Sequence, residues 1–379
     1  TLVAGSGTTA IQGEIGGNTA LTSLTITNGT ATGSIEIANI GGVTGATAIG
    51  NTNTATLTLD GTAYSTGGTQ TYTAKAGQNI DITGAATFTT TNDNISFATS
   101  GVDLANNGTT TINTGTGAGT VSFGAAIEGN SASAPFNDLL VITSGTGDVT
   151  FSGAIGATNA LGGLSVNASS GDGNITFSST IGDTGNAGVV GTTSIGNTDT
   201  VDLNFNAATY SFDGGTTTIT AKTGDNIDMG AGAATTFTTA ADNITFATAN
   251  IHLLDGSNLT VDTGATGGNI TIGAIAGTSV ETVTLDAGTG SLSVGVIGSG
   301  TEIGAVTLGS TDDGAITLNG AITADAAVSI TGPVSLATGA ISVTTTNDNI
   351  TFNDTINGAQ TLTLVAGTGT TSIAGAIGA

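Results

Sequence analysis

The sequence predicts an all-β protein whose short strands wind into a parallel β-solenoid, a β-helix of stacked coils. Three observations carry this. Apolar residues alternate with polar ones almost throughout, as in "LTSLTIT" (21–27), "SIEIA" (34–38), "ATLTLD" (55–60) and "VETVTLD" (280–286). That period of two belongs to half-buried strands. The strands are separated by clusters of Gly, Asn, Asp and Thr, and helical spacing is not sustained over ten or more residues. Finally, whole phrases recur along the chain, the signature of a repeat architecture.

Strand content is decided by composition. The 379 residues include 63 Gly, which together with abundant Thr, Ala and Asn suggests a flexible linker. A disordered chain, however, has few β-branched residues and a high charge density. Here charged residues are only 8% and Ile, Val and Thr recur to the end, so the reading is ordered β structure with many tight turns. Only Pro135 and Pro333 interrupt the texture, and no Ser/Pro-rich or charge-dense linker divides it. Residues 1–379 therefore read as one continuous solenoid. "GTGAG" (115–119), "SSGDG" (169–173) and "STDDG" (310–314) read as turns that need Gly or Asn at positive φ.

Self-comparison locates the repeats. "YSTGGTQTYTAKAGQNID" from Tyr64 matches "YSFDGGTTTITAKTGDNID" from Tyr210. Upstream, "AIGNTNT" (48–54) meets "SIGNTDT" (194–200). Downstream, "NISFATSGVDL" (94–104) meets "NITFATANIHL" (243–253), and Phe123 aligns with Ile272. The copies span about 44–129 and 190–277, with a partial third at about 340–379. A shorter phrase marks all three: "NDNISF" (92–97), "ADNITF" (241–246) and "NDNITF" (347–352). The pairs Gly5/Gly7, Gly145/Gly147, Gly288/Gly290 and Gly367/Gly369 occupy equivalent turns.

Two or three strands per coil give coils of roughly 20–30 residues, and hence roughly 13–19 coils. At about 4.8 Å per coil this is a rod of about 60–90 Å. The alternative is an array of β-sandwich modules, which needs about 100 residues per module and a larger aromatic core. A thin solenoid suits small and branched side chains. Phe88 with Phe97, and Phe237 with Phe246, are candidates for stacking on one inward face.

Charge excludes several partners. Two Lys, no Arg and 27 acidic residues give a formal charge of −25. Nucleic acid requires cationic contacts that are missing here. Membrane insertion is not expected, because no apolar run approaches the roughly 20 residues that span a bilayer. With neither an initiator Met nor a signal-peptide pattern, the chain reads as a processed product or a window of a longer polypeptide.

Little chemistry is encoded. There is no Cys, and His252, the single histidine, replaces the Asp103 of the sister copy, as a solvated strand residue does. No Gly-rich turn continues into "GK[ST]". Carboxylate pairs such as Asp312–Asp313 or Asp225–Asp228 are conceivable acid–base pairs for a polysaccharide-active enzyme. The lack of Trp and Arg argues against this, so no catalytic residue is assigned. Calcium is the one cofactor the turns suggest, because it takes six to eight oxygens from carboxylates, amides and carbonyls. Its candidates are Asp93 and Asp348 in the two "NDN" turns and Asp312 and Asp313 in "STDD", with "GDGN" (171–174) as a further turn of this kind. Lys75 and Lys222 hold the same position in the duplicated module, with Asp81 and Asp228 as candidate ion-pair partners.

The "NDNITF … LTLVAGTGTTSIAGAIG" wording resembles the large bacterial surface proteins with filamentous-haemagglutinin-like or autotransporter-like β-strand repeats. The likeness covers essentially the whole chain and is one of repeat texture. It implies a right-handed parallel β-helix, export across the envelope, and display at the cell surface as an adhesin, fibre or surface layer. Surface glycans are then candidate partners, and no functional residue carries over. "TLVAGSGTTAIQGEIGG" (1–17) and "TLVAGTGTTSIAGAIGA" (363–379) read as the same coil position. Head-to-tail self-association, or continuation within a longer chain, is the expectation that follows.

Overall fold

The computed structural model describes residues 1–378 except 31, 105–107, 131–135, 170, 172, 184, 186, 231, 233 and 310–313. Two compact units, Thr1–Val201 and Asp202–Ala379, make up the chain. Every described element is a strand and the strands pair in parallel, as a β-solenoid of about 15 turns in all. The array of antiparallel sandwiches is thereby excluded.

In the first unit the chain visits three sheets in rotation. One turn runs through Thr47–Gly50, Thr54–Leu59 and Ala63–Thr66, and the next through Gln70–Thr73, Asn79–Ile82 and Ala86–Thr89. Each strand bonds to its counterpart one turn away. The second unit repeats the pattern, for example through Asn226–Met229, Thr235–Thr239 and Ile244–Ala247 and then Asn250–Leu253, Leu259–Asp262 and Ile270–Ile272. Turns are of unequal length because corners carry loops of different size, while the strands keep register apart from shifts at Gly33/Ser34 and Ile40/Val43.

Register turns sequence alternation into a core. In the inner turns buried residues alternate with half-buried or exposed ones along most strands, so one side of each sheet faces inward. In the first unit Ile26, Ile49, Tyr72, Phe97, Phe123, Phe151 and Phe177 form one inward column, one residue per turn. From Tyr72 to Phe177 the rings stack with centroids 4.8–5.4 Å apart and planes within 20°. This corrects the pairing expected from sequence. Phe88 and Phe97 lie on either side of a corner and meet edge to face, at 5.4 Å and 79°, as do Phe237 and Phe246 at 5.2 Å and 89°. The stacked contacts run between turns, so the partner of a ring is a whole turn away and not nine residues away.

The longest polar side chain in the core is fully bonded, whereas the buried hydroxyls of Thr47, Thr193, Thr217, Thr235 and Ser257 have no hydrogen-bond partner among the described residues. Gln70 is fully buried. Its amide donates to the carbonyls of Tyr64 (2.9 Å) and Thr89 (2.8 Å), and its oxygen accepts the Tyr72 hydroxyl at 2.9 Å. Corners are tightened by glycine. A Cβ on Gly147 would lie 2.1 Å from the Gly119 carbonyl oxygen of the preceding turn, and one on Gly290 would lie 2.2 Å from that of Gly268.

The duplicated corner also shows a local strain. Asn92 has φ 66° and its sister Ala241 has φ 74°. Asparagine tolerates the left-handed region better than alanine does. Ala241→Asn is therefore expected to raise stability, by about 0.5–1 kcal/mol, read as a higher denaturation midpoint. Phe123→Ala is expected to lower stability by about 3–5 kcal/mol through the cavity it opens in the ring column. Hydrogen exchange should show the loss centred on the strands that pair with Val121–Phe123.

Candidate functional site

The recurring "NDN" turns are the first place to look for chemistry. Each precedes a strand, and a Thr three residues before the Asp faces inward. The hydroxyls of Thr90 and Thr345 donate to the backbone carbonyls of Asp93 (2.5 Å) and Asp348 (2.6 Å), and Thr239 does the same to Asp242. The second asparagine bridges to the next turn. Asn94 Oδ1 accepts the Thr120 N–H, Asn243 Oδ1 the Asn269 N–H, and Asn349 Oδ1 the Thr370 N–H, at 2.8–2.9 Å. Asn269 passes the pattern on to Ser291 N–H at 2.8 Å. A backbone donor at the entry to each strand is thus satisfied by a side chain one turn earlier.

For the calcium reading, Asp93 is half-buried and Asp348 exposed, each in its own turn. Asp312 and Asp313 lie outside the described residues. Among the described residues no three His, Cys, Asp or Glu side chains gather as metal ligands. What the turns do offer is the inter-turn amide bond, which sequence reading missed. Its signal was present: the second Asn stands directly before the strand in all three copies.

Carboxylates are brought together elsewhere, on the outward side of a sheet in the first unit. Thr58, Asp81, Asp103 and Glu128 stand on successive rungs. Asn79 Nδ2 donates to Asp103 at 2.6 Å, and Glu128 accepts the Thr158 and Asn159 N–H groups at 3.0 and 2.8 Å. Partial burial pushes the Asp81, Asp103 and Glu128 carboxyls upward, and the negative charge of Asp103 adds to this at Asp81 and Glu128.

In the sister copy the corresponding column is Asn204, Asp228, His252 and Ala276. His252 Nδ1 lies 2.9 Å from Asp228 Oδ1, so the residue expected to be solvated is half-buried and paired. Lys222 reaches Asp225 at 4.0 Å and not the expected Asp228. For Lys75 no carboxylate lies within ion-pairing distance among the described residues, Asp81 included. Asp225 and Asp228 therefore have separate partners, Lys222 and His252.

Glu281 is the most strongly held carboxylate. It is 2% exposed. It accepts the N–H and hydroxyl of Thr278 (3.0 and 2.9 Å), those of Ser279 (2.8 and 2.9 Å), and the Gly256 N–H at 3.3 Å. Burial opposes its ionisation, yet these bonds outweigh it and pull the carboxyl down to about 2. The side chain fixes one corner loop and ties it to the turn before.

Two open hollows lie on the surface of the first unit. One lies over Gly41, Gly42, Thr44, Ser65 and Thr66, the other over Leu139, Val141, Gly163 and Thr192. Neither is lined by a titratable side chain. Among the described residues no helix is long and apolar enough to cross a membrane. No family model, no curated protein and no solved structure matches the chain.

Glu281→Gln is expected to lower stability by about 2–4 kcal/mol, because an amide N–H₂ is placed against N–H and O–H donors in a buried nest. The lowered carboxyl value sets the sign in the wild type. The contribution of Glu281 is present above the ordinary carboxylate range and is lost as pH falls through about 2. Denaturant midpoints at pH 7 and pH 2.5 test both statements: the deficit of the variant should be the smaller at pH 2.5.

Proposed function

We propose that the chain is a structural length of an extracellular bacterial filament, fibre or surface layer, in which solenoid turns continue end to end. One observation carries this reading. The phrases at 1–16 and 363–378 fold alike. Leu2–Ala4 and Thr8–Ile11 are followed by an isolated bridge at Ile15, and Leu362–Val365 and Thr371–Ile373 by one at Ile377. Each is paired to a neighbouring turn on one side, Leu2–Ala4 to Leu24–Asn28 and Leu362–Val365 to Ile341–Thr345. On these turns Leu2 and Ile377 expose apolar surface, whereas Ile26 and Ile356, their partners one turn inward, are buried; Val3 and Val365 are exposed apolar residues over the half-buried Thr27 and Thr344.

An open parallel edge templates further pairing, and heterologous contacts of this kind grow open fibres. The resemblance in repeat texture to large surface proteins points the same way. Absence of Cys suits a protein folded outside the cell without oxidative help. Acidic character suits solubility in a crowded array.

A second reading is favoured by the same repeated phrase. Tandem copies within one polypeptide would also place it at regular intervals, as in the stalk of a giant adhesin whose binding tip lies elsewhere.

The two readings separate on the isolated chain. Concentrated protein is expected to form fibres in negative-stain images, and Val3→Pro is expected to abolish them. Proline removes an N–H from the open strand and should leave the circular dichroism of the folded body unchanged. Monomers at every concentration would overturn self-assembly and leave the stalk. Intact mass of material from the native source gives the second check. A mass near 36.0 kDa matches a subunit and a far larger one a giant chain.

A further inference from the structure

The carboxylate column of the first unit has a consequence of its own. Asp81, Asp103 and Glu128 occupy consecutive rungs of parallel strands, where side chains on neighbouring rungs are held about 4.8 Å apart. Like charges placed directly opposite one another in a sheet destabilise it. Thr58 stands one rung before Asp81 and Glu36 one rung before that. Asp60 follows Thr54–Leu59 and is exposed, and Lys75 lies exposed in the turn ahead of Asn79–Ile82. Beyond Glu128 the chain continues through the Ile155 bridge to Gly156, which adds no charge. No cation lies within 4.0 Å of the three carboxylates among the described residues. Among the described residues only Asn79 reaches the column with a side-chain donor.

We infer that this column is an acid-responsive seam, in which a proton taken up between Asp81 and Asp103 replaces repulsion between two carboxylates by a carboxyl–carboxylate hydrogen bond and tightens the turns that carry them. The proton comes from solvent and no other group changes its bonding. Raised carboxyl values fix the sign. Such groups stabilise the fold fully below the ordinary carboxylate range, and that contribution is lost as pH rises through the raised values. The sister column solves the same contact in another way, by placing His252 on the rung that Asp103 holds here.

The test is hydrogen exchange of the strands Asn79–Ile82 and Gly101–Leu104 at pH 8 and pH 5, corrected for intrinsic rates, together with thermal midpoints. Wild-type protection is expected to rise several-fold on acidification. Asp103→Asn keeps an acceptor for Asn79 and removes the charge. It should be better protected than wild type at pH 8 and should lose most of the pH dependence. Asp81→Asn should do the same, and provides the reading if Asp103→Asn fails to fold. Asp93→Asn removes one charge from the same unit outside the column and should keep the wild-type dependence. A column variant with an unaltered pH slope would overturn the seam, as would an Asp93→Asn slope reduced to the same extent, which would assign the effect to net charge.

Discussion

Everything in this molecule depends on the in-register stacking of one turn on the next. A parallel β pairing fixes which residue stands over which, and it does so for the inward and outward sides at once. Inside, it produces columns such as Tyr72, Phe97, Phe123, Phe151 and Phe177, in which each ring's neighbour is its counterpart one turn away. The chain has few aromatic residues, yet the largest of them are concentrated where stacking is continuous. Loop length is free to vary, because corners lie outside the register. That is why the spacing between copies drifts from 146 to 149 residues while the strands remain matched.

Stacking also explains how backbone groups at the corners are satisfied. A turn that leaves its sheet interrupts the ladder and exposes N–H groups. Asn94, Asn243 and Asn349 close these gaps with side-chain amides, and the inward threonines at 90, 239 and 345 bond the carbonyls on the other side. The phrase that looked most like a metal loop is in this sense a backbone cap. Where a longer loop must be fixed, a full carboxylate is used, and Glu281 remains ionised although buried because five donors converge on it.

Period-two alternation and repeated phrases made the fold class and the approximate number of turns legible. These are local or self-referential signals, readable without knowing the path of the chain. Contacts between turns were not legible, because they depend on corner lengths of a few residues that composition does not set. Phe88 and Phe97 were matched by their short separation, whereas the structure pairs each ring with one about 25 residues away. Lys222 was matched to Asp228 when Asp225 lies nearer along the same corner, and Asp228 is taken by His252 from the next turn. Aligning the copies against each other did find the right rungs. Asp103 and His252 are counterparts in sequence, and each stands on the rung after its copy's Asp, 81 or 228.

The same constraint accounts for the unusual charge pattern. In a stacked solenoid an outward residue meets its own kind at about 4.8 Å on both sides, so a charged column repels itself along its whole length. Neutral hydroxyl residues avoid this and favour strands. In the second unit one outward column reads Thr209, Thr236, Thr260, Thr284, Thr307, Ser329, Thr351 and Ser372, with no charge on any rung. Acidic residues move to the ends of strands, where Asp262 and Asp286 each cap a corner by accepting the N–H of a following glycine. The chain can therefore carry a formal charge of −25 with only 8% charged residues. Its acidity sits on corners, and its sheets stay nearly neutral. The Asp81–Asp103–Glu128 column departs from this rule, and its carboxyls are correspondingly pushed upward.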